Sequence, residues 1–178
     1  MLKLDSYLDR QVLAELAWLQ SQKKRPMNSK KQILKREMST FTTTRNISAE
    51  PSAIFAAIKD PNRLVKWWGP SGFSNRFEEF EFKPGGKWVF DMVGPDGTVY
   101  PNESVFEKIE TGRLVVIRHV CQPHFTLSIT LEPVPEGTLV HWQQLFVDAS
   151  VANTVRHIVE PSNEQNLDRL TAEVIQPA

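Results

Sequence analysis

Residues 119–125, HVCQPHF, hold the chain's single cysteine and two of its four histidines. Imidazole and thiolate are ligands that zinc accepts, but a tetrahedral site needs three or four of them at tight geometry. No second group of His, Cys or close acids stands elsewhere in the sequence to complete His119, Cys121 and His124, so no metal is expected. One cysteine cannot form an internal disulfide, which fits a reducing compartment, and Cys121 reads as a buried, inert thiol. Glu78, Glu79 and Glu81 in RFEEFEFK resemble a paired-carboxylate site at first glance. Two of the three share a face near a strand end, where solvated charge is the plain reading. The sequence carries no nucleophile elbow, phosphate-cradling glycine loop or dinucleotide fingerprint. PGG at 84–86 is a turn before a strand, with no helix behind it to present N–H groups to a phosphate. No cofactor is expected.

The remaining chemistry lies in rings and a few polar groups. LVKWWGPSGF, residues 64–73, sets two tryptophans side by side and then stops the chain with Gly-Pro. Helix neighbours point about 100° apart, so Trp67 and Trp68 cannot fill the same space. One ring is expected in the core beside Ile54, Phe55 and Ile58, the other toward the mouth of a cavity. Gly69 frees the backbone to leave the helix, Pro70 prevents its continuation, and the loop through Gly72 and Phe73 forms a lip. Strand parity adds Trp88, Phe90 and Met92 on one side of one strand. It adds Trp142, Gln144 and Phe146 on another, and Tyr100 and Phe106 on a third. The polar candidates are Asn102, Arg118, His119, His124, His141 and Gln144. Alternation lets only one of Arg118 and His119 face inward, and which one is open. An inward His or Arg could polarise a carbonyl or move a proton.

These groups need elements to hold them. TFTTTRNIS, from Thr40, is β-branched and extended. Pro51 and the Asp60-Pro61 pair then open two short helices, since a proline in a first turn gives up no helical hydrogen bond. Six strand-like runs follow with short links: RFEEFEFK, GGKWVFDMV, TVYPNESVFEKI, LVVIRHV, FTLSITLEP and LVHWQQLFVD. GPDG and ETGR between them carry turn chemistry. The result is an α+β chain with an antiparallel meander of about seven strands. After Asp148 the pattern turns helical. Pro161 sits badly inside one long helix, so a short helix or turn over 149–159 and a stronger helix from Pro161 to about Ile175 are expected. Its stripe of Leu167, Leu170 and Val174 is the only large apolar element left to cover the sheet.

Residues 1–38 differ in character. Leu4, Leu8, Val12, Leu16 and Leu19 predict an amphipathic helix over the first 22 residues, which could pair with a second copy in a homodimer. Residues 23–37 carry seven Lys/Arg and one Glu and read as a solvated linker, while residues 38–178 carry 12 basic and 17 acidic side chains. An acidic body argues against a nucleic-acid-binding domain. No apolar run approaches the ~20 residues that span a bilayer, and the N-terminus lacks a signal core, so a cytoplasmic protein without a membrane span is expected. The boundary falls between a 1–38 addition and a 39–178 domain of a size that can bury its own core.

DPNRLVKWWGPSGF, FKPGGKWVFDMVGPDGTVYPN, VFEKIETGRLVVIRH, EGTLVHW and EQNLDRL, in this order and spacing, resemble the activator-of-heat-shock-protein-90-ATPase homologue-like family. That family belongs to the START/Bet v 1-like (SRPBCC) superfamily. The resemblance covers residues 40–175 and implies the helix-grip fold, a curved sheet wrapped around a C-terminal helix with a cavity between them. It implies a domain that binds a small hydrophobic or amphipathic molecule such as a lipid, polyketide or aromatic metabolite. The alternatives are a cyclase- or hydrolase-type enzyme using an inward His or Arg, and a co-regulator in contact with a chaperone ATPase. The eukaryotic activators carry a second N-terminal domain, for which some 38 residues are too few.

Overall fold

The computed structural model describes residues 29–175, and the helix expected over residues 1–22 lies outside them. The chain divides into two units, Met1–Lys35 and Arg36–Ala178. Helix α1 (Ser29–Met38) occupies part of the segment read as a linker. Its residues 29–37 are exposed, as expected, but KKQILKRE is made of good helix formers, and that propensity outweighs the charge.

The second unit runs β1 (Thr40–Ile47), α2 (Pro51–Lys59), α3 (Pro61–Trp67), β2 (Ser74–Phe80), β3 (Lys87–Val93) and β4 (Val99–Glu110). It continues through β5 (Leu114–His119), β6 (Phe125–Val134), β7 (Gly137–Phe146) and α4 (Ala149–Ile175). The seven strands form one antiparallel sheet in the order β1-β7-β6-β5-β4-β3-β2. The expected helix-grip architecture is present: a curved sheet, two short helices after the first strand and a long C-terminal helix. Asp60 ends α2 and starts α3, its carboxylate accepting the Asn62 N–H at 2.9 Å.

Two local details differ from the sequence reading. RFEEFEFK does not alternate throughout, because a register shift between Phe77 and Glu79 inserts a bulge against β3. The bulge turns Phe77 and Phe80 the same way, their rings stacked at 5.8 Å, and leaves Glu78 and Glu79 both in solvent. α4 is one continuous helix with Pro161 inside it rather than two pieces. Proline removes one rung of the helix. Packing on both sides of the break holds the axis together. Ala152, with Val155 and Val159, packs on Phe41 and Phe146, while Leu167 and Leu170 enter the main core.

That core is unusually rich in rings. Trp67, Trp88, Trp142 and Phe106 are all buried, packed with Ile54, Ile58, Leu64 and Ile129. Trp67 enters it from the end of α3, and its indole N–H donates to the Ala57 carbonyl at 3.0 Å, tying α3 to α2. Trp67→Ala removes a large buried ring and this bond together. It should cost about 3–5 kcal/mol in chemical denaturation, and a loss below 1 kcal/mol would refute the core role assigned to this ring.

Candidate ligand cavity

Directly opposed residues of an antiparallel sheet share a face. One row across the sheet reads Trp88, Ser104, His119, Phe125 and Phe146. The next reads Phe106, Ile117, Leu127, Gln144 and Phe41. Both rows face α4. Arg118, between them in sequence, lies in register with Val105 and Thr126 on the opposite face, where it pairs with Glu107 at 2.6 Å. His119 is therefore the inward member of the pair.

Between this face and α4 lies a cavity of about 420 Å³. The sheet supplies Phe90, Ile117, Phe125, Leu127 and Trp142 as apolar wall, with Asn102, Ser104, His119 and Gln144 among them. α4 supplies Ile158, Val159, Ser162, Asn163 and Asn166; the loop after α3 supplies Trp68, Gly69, Pro70 and Phe73. Met92 and Tyr100 complete the lining, with the Tyr100 ring 6.1 Å from Phe73.

Of the site residues expected from the sequence, Trp68, Phe73, Phe90, Met92, Tyr100, His119, Trp142 and Gln144 line this space. Trp67, Trp88 and Phe106 are instead enclosed in the core, and Phe146 packs with Phe41 and Ala152. His124 is exposed, and His141 faces Glu132 at 3.0 Å in an exposed pair. Asn163 and Asn166 were not among the expected residues. Their signal was present, since both sit at helical spacing on the same stripe as Leu167 and Leu170 within the helix expected from Pro161, but that stripe was read from its apolar members alone. Trp68 joins core and cavity, its ring 5.6 Å from Trp67, 4.7 Å from Trp88 and 5.5 Å from Trp142.

The lip is fastened to α4. The Asn166 side-chain oxygen accepts the Gly69 N–H at 2.7 Å, and that of Gln165 accepts the Ser71 N–H at 2.8 Å. The Arg169 guanidinium donates to four successive or nearby carbonyls. These are Gly69 at 2.8 Å, Pro70 at 2.9 Å, Trp68 at 3.3 Å and Lys66 at 2.5 Å. Gly69 has φ +90°, a backbone conformation that a side chain would strain, and it sits against Met92 of the cavity wall. The EQNLDRL motif is thus the helical half of a clasp whose other half is WWGPS.

The Asn163 amide N–H donates to the Gln144 side-chain oxygen at 3.2 Å, bridging α4 and β7 within the cavity. His119 stacks on Phe125, centroids 4.5 Å apart and planes within 7°. Its Nδ1 lies 2.9 Å from the Pro123 carbonyl, and its Nε2 lies 3.1 Å from Asn102 Oδ1 and 3.4 Å from Cys121 Sγ. A neutral ring carries one N–H and can donate to only one of these two oxygens, the Pro123 carbonyl or Asn102 Oδ1; with the proton on Nδ1 it donates to Pro123, and the thiol is within reach of Nε2. Burial holds the imidazole below its ordinary 6.5, against the opposing pull of the Pro123 and Cys121 backbone groups. Cys121 itself is half-buried rather than buried, lying two residues beyond the end of β5. Among the described residues, no three His, Cys, Asp or Glu side chains converge as a metal site would require.

Residues 48–174 match the family described as "Activator of Hsp90 ATPase homolog 1-like protein". The chain belongs to this family. Its general class is the SRPBCC superfamily. Solved structures agree in fold. A protein from Arthrobacter aurescens is 24% identical with a TM-score of 0.73, covering 80% of this chain and 89% of that one. One from Chromobacterium violaceum is 22% identical with a TM-score of 0.69, covering 78% and 99%. An AHSA1-like protein from Aeromonas hydrophila is 17% identical with a TM-score of 0.64, covering 76% and 91%. No curated protein matches the chain. No helix among the described residues is long and apolar enough to cross a membrane.

Two outcomes follow from the clasp and the histidine. Arg169→Leu strands several carbonyls and should lower stability by about 2 kcal/mol while red-shifting tryptophan emission, as Trp68 loses its cover. Glu160→Gln, which removes only a surface pair with Arg156, should change stability by less than about 1 kcal/mol. For His119, the unfolded chain takes up the proton before the folded one as pH falls through 6.5. Stability is therefore full above that pH and declines below it, by at most about 1.4 kcal/mol per pH unit. In His119→Gln this part of the decline should vanish from denaturation curves at pH 5 to 7, and an unchanged slope would contradict it.

Proposed function

We propose that this domain binds a small hydrophobic or amphipathic molecule in the cavity between the sheet and α4. The observation that carries this reading is the cavity itself. Its volume of about 420 Å³ lies within the ~300–1,000 Å³ of ordinary small-molecule sites. It is walled by rings of Trp68, Phe90, Phe125 and Trp142 with polar atoms at separated points, the pairing of apolar burial and orienting groups that such sites use. Family membership supports the same reading through its fold class. An acid–base enzyme would need at least two convergent ionisable groups, and the described lining contributes His119 and Tyr100, which stand apart: Tyr100 lies four residues along β4 from Ser104, the residue in register with His119. Binding without assigned catalysis is the better fit.

Ser162 lines the cavity from α4 and is only partly buried, so a larger side chain there extends into the open space. Ser162→Phe should abolish the quenching of tryptophan emission by hydrophobic compounds that bind the native chain, with a melting temperature within a few degrees of native. Unchanged titration curves in a folded Ser162→Phe protein would place binding elsewhere.

A further inference from the structure

Charged residues make up 24% of the chain, yet no Asp, Glu, Lys or Arg of the described residues lines the cavity. Three arginines on the sheet and α4 are engaged elsewhere. Arg118 lies on the other face with Glu107, Arg45 is held by Glu164 and Asp168, and Arg169 is bound to the carbonyls of the lip. The polar groups that do line it are amides, hydroxyls and one imidazole. From these observations we infer that the cavity selects an electrically neutral molecule, one with ring surface and a hydrogen-bonding oxygen or nitrogen, and rejects carboxylates, sulfonates and phosphates of similar shape. This rests on the binding function proposed above and names the class of its ligand.

The physical reason is the asymmetry between a dipole and a charge on burial. An amide such as Gln144 or Asn163 can donate or accept, so it serves a hydroxyl or a carbonyl equally well. It cannot replace the hydration of a full charge, which is costly to bury without a counter-ion. His119 does not supply that counter-ion at neutral pH, since burial keeps its ring uncharged. Trp68, Phe90, Phe125 and Trp142 line the cavity and supply ring surface to it.

Two dyes with one skeleton test this on the full chain. N-phenyl-1-naphthylamine is neutral, and 8-anilinonaphthalene-1-sulfonate adds a single sulfonate to it. At pH 7.5 the neutral dye should bind at least ~10-fold more tightly, the sulfonate losing affinity to its unpaired charge, and Ser162→Phe should remove the neutral dye's signal. Equal or tighter binding of the sulfonate would overturn the neutral-ligand inference and leave the binding function standing. Binding of neither dye would overturn both.

Discussion

The cavity exists because a loop is tied to a helix at the backbone level. A helix end leaves its last carbonyls without partners, and α3 ends at Trp67, beside the space that α4 must cover. Arg169 reaches across with a planar guanidinium and satisfies carbonyls of Lys66, Trp68, Gly69 and Pro70 together. Asn166 and Gln165 take the N–H groups of Gly69 and Ser71. Without these bonds the chain between α3 and β2 would carry buried, unpaired polar groups, and Trp68 would have no fixed position between core and cavity. Desolvation lowers the guanidinium's proton affinity from its ordinary value, yet it stays cationic at any ordinary pH.

The same constraint separates what the two tryptophans do. Trp67 belongs to the helix and is locked to α2 through Ala57. Trp68 belongs to the clasp and touches three other indoles. Its ring is at once the roof of the core and a wall of the cavity. A shift of Trp68 reaches the packing of Trp67, Trp88 and Trp142 through one side chain.

Much of this was legible in the sequence. Period-two runs and short turns gave the meander, and Pro51 and Asp60-Pro61 gave the helix pair. Trp67 and Trp68 do part between core and cavity, but because Trp68 has left the helix with extended backbone rather than through the ~100° helical step. Other parts were not legible, for identifiable reasons. LVVIRH is apolar on both faces through most of its length, so alternation alone could not choose between Arg118 and His119; the neighbouring strands made the choice. Pro61-type logic misled at Pro161, where tertiary packing of Ala152 and Leu167 outweighs one lost rung. The polar partners Asn163 and Asn166 lay within the expected helix but are not among the apolar residues that mark its stripe, and nothing in sequence marks Arg169 as a ligand of the lip carbonyls. The parity of RFEEFEFK failed because a bulge leaves no trace in composition.

That bulge has an effect on the molecule's behaviour among its own kind. β2 is the last strand of an open sheet, and its outer edge offers a row of backbone groups on which a stranger's strand could template. The irregularity between Phe77 and Glu79 breaks the spacing of that row and turns two adjacent carboxylates toward water. Like charges then meet whenever two such borders approach, and the hydrogen-bond ladder cannot continue in step. The glutamates that resembled a catalytic pair are exposed charges beside an irregular sheet edge, a combination that disfavours strand pairing between copies.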